Sequence, residues 1–346
     1  MSQFSRRTVL AATAIALLSF TSTACVGGAE AGSHGGGQLR IRIAYQAIPN
    51  ADLVVKNQRL LEKALPDAEI QWVKFESGGD VNTAVIAGSV DLGLVGSSPV
   101  AKGLSAPLNI PYKVAWIHDL IGDNEALVAK KNIPSITALR GRRIATPFGS
   151  TAHYSLLAAL ESAGLKATDV TLVDLQPQDA LAAWQRGDID AAYVWAPSLT
   201  ELKKNGRVLA SSRAIGAQGK PTADLGVVTT TFAQRHPEAL NAWLKAQDQA
   251  VALAKTDPAK AAVAIGAELN LEPAEAKKQL AELVLLSAKE QQALGHLGKP
   301  DAPGKLAAAL RDAALFLQSQ KAVETVPDLA VFEKALAVEE LSHATR

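Results

Sequence analysis

Two stretches of the chain follow the same plan of apolar and polar positions, about a hundred residues apart. The segment 88–96, Gly-Ser-Val-Asp-Leu-Gly-Leu-Val-Gly, returns at 187–195 as Gly-Asp-Ile-Asp-Ala-Ala-Tyr-Val-Trp. Before the first copy, residues 80–87 put Val81, Ala84 and Val85 on one helical face and stop at Gly88. Before the second, residues 179–186 do the same with Leu181 and Trp184 and stop at Gly187. Apolar residues at this spacing predict helices, and a glycine just past the last periodic residue is the usual stop. Upstream of each copy is another strand-like run, 41–45 and 143–146. The pattern therefore predicts two α/β units of similar plan, each with a mixed, mainly parallel sheet flanked by helices and ligand groups collecting at the carboxyl ends of its strands.

After the second unit, 225–231 reads as a strand. The rest is helical, in segments near 237–255, 258–269, 273–286 and 302–320. The expected division is one lobe of residues 39–127 and 226–346, a second lobe of 128–225, and a ligand cleft between them. With 346 residues, 48% of them hydrophobic and 20% charged, the chain is large enough for two such cores.

A formal net charge of +1 leaves no surplus of cations for a phosphate backbone, so nucleic acid is not an expected partner. The N-terminus carries Arg6-Arg7, an apolar run over 9–18 too short to span a membrane, and then small residues. That is an export signal, of the general secretory or twin-arginine kind, expected to occupy 1–25. The only cysteine, Cys25, follows Ser22-Thr23-Ala24 and is the expected lipidation site. A Gly- and Ala-rich tether over 26–38 separates it from the folded part. The expected product is an exported monomer, in the periplasm or on the outer face of the cytoplasmic membrane, held by a lipid anchor.

Three helix starts carry small hydroxyl residues or glycines: Ser77-Gly78-Gly79-Asp80, Gly96-Ser97-Ser98-Pro99 and Gly149-Ser150-Thr151-Ala152-His153-Tyr154. Free N–H groups and the helix dipole at such ends accept an oxyanion, although the same residues cap most helices for stability alone. There is no P-loop, no zinc-type Cys/His spacing and no Gly-x-Ser-x-Gly elbow, so catalysis is not expected.

The runs Gly122-Asp123-Asn124-Glu125-Ala126-Leu127-Val128, Ser150 to Leu160, Leu175-Gln176-Pro177, and Ala182-Ala183-Trp184-Gln185-Arg186-Gly187-Asp188-Ile189-Asp190 through Trp195-Ala196-Pro197 resemble the taurine-binding proteins of ABC importers. Ala44-Tyr45-Gln46, Lys74-Phe75, Gly96-Ser97-Ser98-Pro99 and His236-Pro237-Glu238 agree with that resemblance, which runs from about Ile41 into the C-terminal helices. It implies a type II periplasmic binding protein fold, no cofactor or bound metal, and a membrane permease with its ATPase as partners.

It also implies a site, carried over residue by residue. Ser98, Gly78, Gly79, Thr151, His153 and Tyr154 would hold a sulfonate. Glu125 and Asp224 would pair with an ammonium, Trp195 would cover the carbon chain, and Gln46 would line the cavity. On the residues alone, Glu125 and Asp224 also read as surface carboxylates, Trp195 as core and His153 as a solvated first-turn residue. Other ligands compatible with the fold are alkanesulfonates without an amine, aromatic sulfonates, nitrate and a thiamine precursor. Enzymes of thiamine-pyrimidine synthesis share it too, but their cysteine-rich motif is absent. Two positions depart from the family: Ala152, where a hydroxyl is usual, and Gly226, where a bulkier residue is usual. A roomier pocket is the expected result.

Overall fold

The computed structural model describes residues 38–293 and 295–345, so the expected export signal, Cys25 and nearly all of the tether lie outside the described residues. The chain builds two five-stranded sheets. The first contains β1 (Arg40–Gln46), β2 (Glu69–Phe75), β3 (Leu92–Gly96), β4 (Tyr112–Leu120) and β10 (Ala223–Thr229), in the order β2-β1-β3-β10-β4. The second contains β5 (Glu125–Lys130), β6 (Arg143–Thr146), β7 (Thr171–Asp174), β8 (Ala191–Trp195) and β9 (Gly206–Ser211), in the order β7-β6-β8-β5-β9.

The two orders correspond position by position, and the repeated segments fall on β3 and β8, both fully buried. The preceding helices, Gly78–Ile86 and Pro177–Arg186, start two residues earlier than their apolar periodicity indicates. Gly187 closes the second helix with φ 85° and Gly88 follows the first with φ 65°, left-handed conformations that glycine adopts at little cost.

The expected mixed, mainly parallel sheets are present: in each sheet four strands run one way, and a single strand, β10 in the first and β5 in the second, runs against them. The cause is the path between lobes. β3 and β8 end at the cleft, whereas β10 and β5 begin there, because each enters its sheet from the other lobe. A strand arriving from the cleft must run against its neighbours. Pairing also places the crossings earlier than expected: 121–124 on the way out and 212–222 on the way back. Residues 125–127 thus pair in the second sheet, and 223–225 in the first.

The long C-terminal helices, Pro237–Thr256, Pro258–Leu269 and Leu306–Ser319, pack against the first lobe's core. The helix expected over 273–286 stops at Leu280. Beyond it the apolar residues run alongside β4, where the Leu120 N–H donates to the Val284 carbonyl, instead of continuing the helical face. The last long helix begins at Leu306, later than expected, because Gly304 donates back to the Leu297 carbonyl.

Gly226 leaves no extra space in the cleft. A Cβ there would stand 2.5 Å from the Trp243 ring and 2.9 Å from the Trp116 Cβ, so the room it makes is already filled by Trp243. Gly226→Ala is therefore expected to cost about 1–3 kcal/mol by overpacking. Denaturant unfolding measures this, and an unchanged midpoint would mean that the Trp243 ring gives way freely.

Candidate functional site

The strand register brings two carboxylates to equivalent places. In β10, Asp224 lies opposite Gly96, the last residue of β3; in β5, Glu125 lies opposite Trp195, the last residue of β8. Between them is a narrow cavity lined by Gln46, Ile48, Gly78, Gly96, Pro99, Ile121, Asn124, Glu125, Ser150, Thr151, Trp195 and Asp224. Both lobes and the outgoing crossing contribute.

Six of the ten expected residues, Gln46, Gly78, Glu125, Thr151, Trp195 and Asp224, share this wall. The other four do not. Tyr154 turns its ring against Phe316, 5.0 Å between centroids, and belongs to the apolar core. His153 stacks on Phe148 at 4.7 Å, and its Nδ1 accepts from the Gly149 N–H at 3.1 Å. Ser98, the second residue of the Ser97–Gly103 helix, is buried with its hydroxyl unpartnered, and Gly79 faces the Phe148 carbonyl. In the Gly78–Ile86 and Thr151–Ser162 helices only the first residue lines the cavity, and those that follow turn away from it. Ala152 is likewise core, so the hydroxyl it lacks is not missing from the wall.

The helices Gly78–Ile86 and Thr151–Ser162, one from each lobe, point their N-termini at the cavity. Their caps, Ser77 and Ser150, accept the N–H of Asp80 and His153, which leaves the first N–H groups of each helix free for an anion.

The same wall carries buried carboxylates. The Glu125 carboxylate accepts the Thr151 hydroxyl on Oε2 and the Ser212 hydroxyl on Oε1, both at 2.6 Å. Ser212 in turn lies 3.1 Å from the Tyr193 hydroxyl and 3.2 Å from Ser155. Burial pushes Glu125 up to about 7 against the pull of these hydroxyls. Burial, with Asp119 and Glu125 as like-charged neighbours, holds Asp224 well above the usual carboxylate range. Asp119, fully buried on β4, is pushed up to about 7. Asp119 and Ser212 were missed by sequence reasoning. The signal for Asp119 was a carboxylate between the apolar run Val114-Ala115-Trp116-Ile117 and Leu120-Ile121; Ser212 carried none.

Among the described residues no group of His, Cys, Asp and Glu is placed to hold a metal ion.

Two mixed sheets that exchange one strand each around a shared cavity are the fold of two-lobed binding proteins. The alkanesulfonate-binding protein from Xanthomonas axonopodis pv. citri bound to MOPS has it, with a TM-score of 0.70 at 24% identity, over 86% of this chain and 97% of that one. The periplasmic aliphatic sulphonate binding protein of Escherichia coli is similar, with a TM-score of 0.66 at 24% identity over 84% and 91%. The chain belongs to the family described as the substrate-binding domain of ABC-type glycine betaine transport systems, which matches residues 40–278. It is 44% identical over 207 residues to the taurine-binding periplasmic protein of Escherichia coli (strain K12), a stretch covering 60% of this chain and 64% of that relative.

The raised carboxylates set a direction for stability with pH. Asp52, also pushed to about 7 by burial, joins Asp119, Glu125 and Asp224. Each binds its proton more tightly folded than unfolded, where carboxylates titrate near about 4, so the stability it contributes is lost as pH rises through the folded value. His118 and His153, lowered by burial to about 3 and about 4, act oppositely, but only below the unfolded histidine value of about 6.5. Between about pH 6.5 and 8 the carboxylates alone decide. The ligand-free Tm is expected to fall across that interval, and less so in Asp224→Asn; a Tm that rises would contradict the burial of these charges.

Proposed function

We propose that the protein is the exported substrate-binding component of an ABC importer, a binding protein and not an enzyme, and that it captures taurine or a closely similar small aminosulfonate. The observation that carries this reading is the make-up of the cavity wall: free helix N-termini from both lobes and two buried carboxylates, Glu125 and Asp224, line one space. A sulfonate fits the N-termini. An ammonium two carbons away reaches the carboxylates, and Trp195 covers the carbons between, with a cation–π contribution. The 44% identity to a taurine-binding protein supports the same choice.

Glycine betaine, suggested by the family's description, fits less well. A quaternary ammonium is held by several aromatic faces, and Trp195 is the single aromatic residue in this lining. Alkanesulfonates without an amine, and nitrate, would leave the carboxylates buried without a cation, which costs several kcal/mol. The proposed partners are a membrane permease and its ATPase, which receive the ligand from a monomeric, lipid-anchored binding protein.

The test is calorimetric and thermal titration of the chain lacking residues 1–25. Taurine at 100 times its Kd should stabilise the protein by about 2.7 kcal/mol, with little from ethanesulfonate. Equal effects would move the ligand to simple sulfonates. Asp224→Asn should weaken taurine binding by about tenfold or more and ethanesulfonate far less, because it removes one side of a buried charge pair. An unchanged ratio would remove Asp224 from the ammonium site. For the anchor, Cys25→Ser should shift the full-length protein from the detergent phase to the aqueous phase of a cloud-point extraction; no shift would refute lipidation at Cys25.

A further inference from the structure

We propose that Asp119 is a positioning residue of the cation end: it stands behind Asp224, shares one proton with it while the cavity is empty, and makes a cationic ligand enter in exchange for that proton. This rests on the reading of the ligand as an amine-bearing cation.

Asp119 and Asp224 are register partners on adjacent antiparallel strands. That relation sets Cβ atoms about 4.5–5.5 Å apart. Asp119 is 0% exposed. Its Oδ1 has no hydrogen-bond partner, and its Oδ2 has only the Asn50 amide at 3.5 Å. The Asn50 carbonyl oxygen is engaged by the Asp52 N–H, so the amide nitrogen is the end turned to Asp119. A neutral amide at that distance does not offset a buried charge.

The other groups that face the pair do not offset it either. Glu125 approaches from β5 and adds a like charge. On β4 itself, His118 turns to Trp243 at 6.0 Å between rings and is held neutral by burial. Beyond Asn50, Asp52 is answered by Gln247, and Lys56 is engaged by Glu268. No cation bears on Asp119, Glu125 or Asp224 among the described residues.

Two carboxylates this close, out of water and without a cation, do not both ionise; one proton stays on the pair. Glu125, with two hydroxyl donors, is the better-supported anion of the three. Asp224 reaches the cavity wall and Asp119 does not. The ligand's ammonium therefore meets the shared proton at Asp224 and displaces it to solvent, so that one positive charge enters as one leaves. Asp119 acts through Asp224: its charge keeps the proton in place when the cavity is empty and adds attraction once the ammonium has replaced it.

The experiment is calorimetric titration with taurine at neutral pH in two buffers of different ionisation enthalpy, repeated between about pH 6 and pH 8. The wild-type protein should release a substantial fraction of one proton on binding, and its affinity should rise with pH. In Asp119→Asn the release should shrink and the pH profile flatten, with affinity relative to wild type gained at the acid end and lost at the alkaline end. The same release and profile in the variant would overturn the proposal. Asp119→Ser, which removes the charge with less bulk, serves if the asparagine variant does not fold. Difference infrared spectroscopy of the ligand-free protein reads the proton without taurine: a carboxylic-acid C=O band that persists at neutral pH and weakens in the variant supports sharing, and an unchanged band refutes it. If taurine gives no heat while the infrared result holds, the aminosulfonate reading fails and the shared proton stands.

Discussion

The organisation of the molecule depends on where two strands begin. β5 and β10 each leave one lobe and enter the other lobe's sheet one place in from its edge, so both start at the cleft, where the strands beside them stop. Glu125 opens β5, and Asp224 is the second residue of β10. Their backbones are locked by ladders on both sides, so the carboxylates are carried into a buried cavity by secondary structure and not by loops. Desolvating a carboxylate is costly unless it is hydrogen-bonded or paired. Thr151 and Ser212 meet part of that cost at Glu125; Asp224 has no comparable donors.

The same topology supplies the complementary groups. Parallel strands that finish at the cleft hand the chain to helices that start there, and the N-termini of Gly78–Ile86 and Thr151–Ser162 face the space that the carboxylates also line. Thr151 belongs to both sets. Its backbone lies in the first turn of a helix, and its hydroxyl holds Glu125. Thr151 thereby places a helix N-terminus and a carboxylate side by side, which favours short zwitterions over long ones.

Much of this was legible in the sequence, for identifiable reasons. The repeated helix–Gly–strand segment marked two equivalent units because glycine stops and apolar periodicity are local signals. Glu125, Asp224 and Trp195 came from motif runs, and the register brings all three to one wall. Strand direction was not legible. Periodicity says that β5 and β10 are strands, but not that these two enter from the far lobe and so are the ones that run against the other four strands of their sheets. Tyr154 and His153 were drawn in by proximity to Thr151, although one further step along a helix turns a side chain away. Gly226 looked like a gap because its filler, Trp243, lies seventeen residues downstream in another element.

The acidic end also bears on closure. Contacts already join the lobes: the Gln176 amide donates to Asp80 at 3.4 Å, the Gln279 amide to Thr200 at 3.2 Å, Lys203 lies 3.8 Å from Glu282, and the buried Tyr154 ring packs edge-on to Phe316. The polar contacts are long or partly exposed and of modest strength. Inside, the same closure brings Glu125 of one lobe toward Asp119 and Asp224 of the other, each raising the others' affinity for protons. Closing the empty protein thus sets these contacts against like-charge repulsion in a buried cavity. An ammonium between the lobes reverses the sign of that interior contribution, so the ligand adds directly to the free energy that shuts the cleft. A ligand can shift such an equilibrium only by the difference in its affinity for the two states, and here that difference is concentrated at the carboxylates, which meet around it only when the lobes are together.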